Sequence, residues 1–137
     1  MPFFTDPDTV FRGTTGALVP ATWTDTVNDD LNALYGPTTW TSLSGGFSNG
    51  WGNYSSYTAK YQVVGQVCFL DGLISSGTLG AVALQVPPQN VSTPLLFAVT
   101  SNHAFGDIRI DPGGQLIPFT GDNTWFALTG ISYICNP

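Results

Sequence analysis

A chain of 137 residues suffices for one domain, and a domain of this size buries roughly two-thirds of its unfolded surface without a metal or disulfide staple. Only 9% of residues are charged: three are basic (Arg12, Lys60, Arg109), nine are Asp and none is Glu, for a formal net charge of −6. So few cations cannot neutralise a run of phosphates, which excludes nucleic acid as a partner, and 42% apolar with 13% aromatic residues excludes a chain that stays unfolded.

The lack of Glu, with so little Lys and Arg, removes the best surface helix formers. Thr, Val, Ile, Phe and Tyr, punctuated by 16 Gly and 10 Pro, predict a mostly β fold of short strands and tight turns. The first residues, MPFFTDPDTVFRG, lack a basic segment followed by an apolar core and do not read as a secretory signal. No apolar run reaches the roughly 20 residues a membrane span needs, so no membrane insertion is expected. Two cysteines, Cys68 and Cys135, stand in no metal-type spacing and are expected as buried thiols.

Taken in chain order, residues 1–20 form an extended arm rich in Pro, Thr and Asp. Its Phe3, Phe4 and Phe11 have no core of their own, so the arm is expected to lie on this domain or on a partner. Residues 21–36 read as the one good helix, with Trp23, Val27, Leu31 and Leu34 on a single apolar stripe. Thr22 and Asp25 form a capping box, and Gly36–Pro37 stop the helix. The stripe can pack on the chain's own sheet or on copies of itself.

From residue 38 the period becomes two. Strands are predicted over 58–64, 66–75, 78–86, 94–101, 105–111, 114–119 and 124–134, with Gly, Pro and Asn turns between them. Strands of this number and spacing predict an antiparallel β-sandwich of jelly-roll type, preceded by the helix and the arm. The domain organisation read from this is 1–36 as arm and helix and 37–137 as a β-knob.

Residues that could carry chemistry are few. Gly46-Phe47-Ser48-Asn49-Gly50 matches a serine nucleophile pattern, with Asp71 and His103 following in hydrolase order, but it lies in a Gly/Ser loop rather than between a strand and a helix. His103, the only histidine, reads as a turn residue between two strands. Asp107, Arg109 and Asp111 alternate and share one strand face, as a salt-bridge ladder or, through the two acids, a calcium site. Neither cofactor nor metal is expected. The loop 45–57, GGFSNGWGNYSSY, is the feature best suited to binding: aromatic faces beside amides and hydroxyls fit sugar rings. Trp51, Asn53, Tyr54 and Tyr57 are the candidate glycan contacts, with packing at one end of the sandwich or at a subunit interface as the alternative.

Five motifs then occur in order: GWGNY (50–54), YQVVGQVCFLDGLI (61–74), LQVPPQNVSTPLLF (84–97), IRIDPGGQLI (108–117) and TWFALTGISY (124–133). Together they resemble the C-terminal head, or knob, domain of tailed-phage fibre and receptor-binding proteins. FRGTTGALVPATWTDTVNDDLNALYG (11–36) is similar to the virion-proximal part of such proteins. The resemblance implies a non-enzymatic virion surface protein, a homotrimer with Trp23, Val27, Leu31 and Leu34 at the threefold contact. Phe3, Phe4 and Phe11 would fasten it to capsid or tail proteins, and the knob would face host cell-surface carbohydrate. The Lys and Arg common in such heads are mostly missing, and Asp71 occupies one such place. Only residues 37–49 separate helix from head, so the implied object is a short projection, either a capsid decoration or head fibre, or a tail-fibre-like tip. The alternatives are a tail receptor-binding tip proper and a small glycan-degrading depolymerase or esterase using Ser48 or an Asp pair.

Overall fold

The computed structural model describes residues Thr39–Asn136. The arm, the predicted helix and the residues assigned to them (Phe3, Phe4, Phe11, Trp23, Val27, Leu31, Leu34) lie outside the described residues. Every strand pairing is antiparallel. The strands are β1 (Thr41–Ser42), β2 (Gly52–Asn53), β3 (Lys60–Val64), β4 (Val67–Asp71), β5 (Leu73–Ser75) and β6 (Leu84–Gln85). They continue with β7 (Leu95–Ser101), β8 (Ala104–Ile110), β9 (Gln115–Thr120), β10 (Phe126–Ala127) and β11 (Ser132–Ile134). One sheet runs β1-β3-β4-β11 and the other β2-β5-β10-β7-β8-β9-β6.

Alternation explains the long hairpins. In β8, Ile108 and Ile110 point inward while Asp107 and Arg109 remain partly exposed, and in β4 Cys68 and Leu70 are buried while Phe69 is not. One buried cluster draws on both sheets, with Cys68, Leu70 and Tyr133 from the smaller and Ile74, Ile108, Ile110, Leu116 and Phe126 from the larger. Cys68 and Cys135 are both free and buried, and burial pushes the Cys68 thiol up to about 11, so it stays protonated and inert.

Two predicted strands are each broken in the middle. Segment 66–75 becomes β4 and β5, and segment 124–134 becomes β10 and β11, with each half in a different sheet. The breaks fall at Gly72 (φ 106°) and Gly130 (φ 97°), conformations that a side chain strains. The two crossings run side by side: Leu128 N–H donates to the Gly72 carbonyl (2.9 Å) and Leu70 N–H to the Ile131 carbonyl (3.0 Å). A single ribbon thus turns the corner between the sheets. Segment 78–86 is mostly turn, and only Leu84–Gln85 pairs, with β9.

The β7–β8 turn is Asn102–His103, both left-handed (φ 43° and 66°), as a two-residue hairpin requires. The neighbouring loop is tied to it through Asp122, whose carboxylate accepts from the Thr124 hydroxyl (2.6 Å), the Thr124 N–H (2.9 Å) and the Asn102 amide (2.8 Å). These donors, Thr124 foremost, hold its carboxyl at about 2, below the ordinary 3.8. A depressed folded-state value contributes stability above 3.8 that is lost as pH falls toward 2. Asp122→Ala is therefore expected to be less stable than the parent near neutral pH, with the gap closing between pH 3.8 and 2 in urea unfolding series. A gap that persists unchanged at pH 2 would contradict this assignment.

A candidate ligand groove at the corner between the sheets

The corner ribbon places polar groups from distant parts of the chain together. The β3–β4 hairpin sets Lys60 opposite Asp71, and their side chains form an ion pair at 3.3 Å. From the next crossing the Thr129 hydroxyl donates to Asp71 Oδ1 at 2.6 Å. That bond first, and then Lys60, hold the Asp71 carboxyl below its usual range against the opposing effect of burial. The Lys60 ammonium also lies 5.2 Å from the centre of the Trp40 ring, a cation–π arrangement.

A groove of about 480 Å³ opens on one side of this cluster, lined by Ser56, Tyr57, Thr58, Lys60, Asp71, Gly72, Leu73 and Thr129. A second of similar size lies beyond Asp71, with Trp40, Phe69 and Ile131 in its walls. A third, about 530 Å³, runs along β7 past His103 and Phe105. Thr129 lines all three, so the β10–β11 connection is where these described grooves meet. Exposed aromatic surface collects here: Tyr57 is 56% and Trp40 42% exposed.

The loop residues singled out from the sequence divide. Trp51 is only 5% exposed, sits edge-on to Phe126 at 5.7 Å and donates its indole N–H to the Thr78 carbonyl. Its ring belongs to the core and offers no face to a ligand, which corrects its place among the sugar contacts. The Asn53 side chain is spent on the loop itself, accepting from Ala59 N–H and donating to Ser44 Oγ, both at 2.8 Å. Tyr54 is half-buried and packs against Trp125 at 6.3 Å, and His103 meets the same indole edge-on at 5.3 Å. Of the four, Tyr57 alone lines a groove beside charged groups.

No hydrogen bond joins Ser48, Asp71 and His103 among the described residues. Asp71 bonds to Thr129 and Lys60, and His103 rests on Trp125. The Asp107–Arg109–Asp111 ladder is split as well. Arg109 Nε pairs with Asp111 at 2.7 Å and its guanidinium stacks on Phe119 at 4.6 Å, whereas Asp107 accepts the Thr120 N–H at the bulge between Asp107 and Ile108. Among the described residues no group of three or more His, Cys or Asp side chains could hold a metal ion.

Sequence reading missed Trp40, Lys60, Asp71 and Thr129 as groove residues. Half of that was recoverable, because counting outward from the Gly65–Gln66 turn pairs Lys60 with Asp71. Nothing local points to Thr129.

The fold of this chain, with its two antiparallel sheets, is similar to that of a solved bacteriophage protein. The solved structure is that of the receptor binding protein (gp15) of Listeria phage PSA, which matches with a TM-score of 0.62 and 15% sequence identity over 95% of this chain and 86% of that chain. At that identity the likeness is one of fold. No protein-family model matches the chain, and no curated protein matches it.

Proposed function

We propose that this chain is a non-enzymatic phage virion surface protein that binds the host cell surface. In this reading residues 1–36 fasten it to capsid or tail proteins, and residues 37–137 form a sandwich-type knob, presented as a homotrimer. The observation that carries the reading is the fold shared with a phage receptor binding protein over nearly the whole of both chains. Between the two positions in the particle, the likeness to a receptor binding protein favours the receptor-binding tip over a capsid decoration. The exposed aromatic surface around Lys60 and Asp71 supports an outward-facing binding role, since such patches on small domains mark interaction sites.

The test is direct. Fluorescently labelled full-length protein is expected to decorate the bacterium on which the phage grows, and to slow phage adsorption when added in excess. Quantitative mass spectrometry of purified virions should find a few to a few dozen copies, as a tail position requires, whereas hundreds would move the protein to the capsid. Its absence from virions would overturn the reading.

A further inference from the structure

We propose that the groove between Tyr57 and Asp71–Thr129 takes an uncharged sugar ring, and that phosphate- or carboxylate-bearing glycans are not recognised there. This rests on the receptor-binding reading above and names the ligand class of that surface.

Charge separates the two ligand classes. The described residues hold two cationic side chains, Lys60 and Arg109, and each is already matched by a carboxylate, at 3.3 Å and 2.7 Å. Binding an anionic polymer needs cations free to face it, and none is left over in this groove. A phosphate entering here would instead meet the Asp71 carboxylate, on a chain of net charge −6. Hydroxyl groups suit the same atoms well. The Asp71 carboxylate accepts from the Thr129 hydroxyl, the Lys60 ammonium and the Gly72 N–H, and of its roughly four lone-pair directions one is left for a ligand hydroxyl. The Lys60 ammonium has three protons, of which Asp71 uses one. Beside them Tyr57 stands exposed at the rim and Leu73 lines the wall, giving an apolar surface to the face of a sugar ring. The volume, about 480 Å³, is within the range of small-ligand sites. An open groove of this kind binds weakly one copy at a time, and repeated copies on a particle raise the total by avidity.

The experiment uses the full-length protein, intact host cells, and surface polysaccharide extracted from those cells and separated by anion exchange into neutral and acidic pools. The neutral pool is expected to compete for binding to cells and the acidic pool to fail. Binding should hold as NaCl rises from about 0.05 M to about 0.5 M, because no ion pair with the ligand is there to screen. Tyr57→Ala should weaken binding by about tenfold, as loss of an aromatic anchor does. Asp71→Asn should also weaken it, while freeing Lys60 and letting the acidic pool compete. Competition by the acidic pool alone, or by neither pool, overturns the proposal. So does full binding by Tyr57→Ala, which would leave receptor binding itself standing. Failure of the parent protein to bind cells removes that reading, and this one falls with it.

Discussion

Truncating Phe126 to alanine is expected to lower the unfolding free energy by about 3–5 kcal/mol, the range for an aromatic side chain deleted from a packed core. Phe126 is fully buried on β10, and its ring meets Trp51 edge-on at 5.7 Å. A side chain at Gly106 or Gly121 would come within 3.0 Å of that ring, so the surrounding backbone is already pressed against it. Against a typical domain stability of about 5–15 kcal/mol, the loss leaves a marginal protein. Urea unfolding followed by tryptophan fluorescence reads it directly, since Trp51 reports on the same contact. A loss below about 1 kcal/mol would mean that the core repacks around the gap.

The second large effect is at the corner. Gly72→Ala places a methyl group 2.3 Å from the Thr58 carbonyl oxygen, on a backbone with φ of 106°. Both problems are in backbone atoms, which cannot swing aside as a side chain can. Strain and overpacking together predict a loss of about 2–6 kcal/mol. Gly130→Ala serves as the control. Its φ is 97°, but the space around it is open, so only the conformational part, about 1–3 kcal/mol, is expected. Equal losses at the two positions would show that the Thr58 contact relaxes. Because Gly72 lines the groove beside Asp71, its substitution should also reduce cell binding by protein that remains folded, whereas Gly130→Ala leaves that groove lined as before.

The hairpins were legible because their causes are local. Alternation in LLFAVTS and FGDIRI marks β7 and β8, with Asn102–His103 supplying the turn, and Gly65–Gln66 does the same for β3 and β4. The aromatic loop was legible as a feature, but the role of each ring was not. GWGNYSSY does not say that Trp51 turns inward while Tyr57 stays outside, because the ring that Trp51 packs on, Phe126, belongs to a strand far along the chain.

What the amino-acid sequence by itself determined is the mostly β class, the antiparallel hairpins and the scarcity of charge. All of these follow from composition, a two-residue period and turn residues that act over a few positions. Only the tertiary structure decided that segments 66–75 and 124–134 each cross between sheets, since a glycine inside an apolar strand reads the same whether the strand continues or turns a corner. That crossing brings Thr129 to within 2.6 Å of Asp71, two residues 58 positions apart, and builds the groove from both. Hydrophobic patterning specifies which side of a strand is buried but not which strand lies next to it, and a contact between distant segments depends on that second choice.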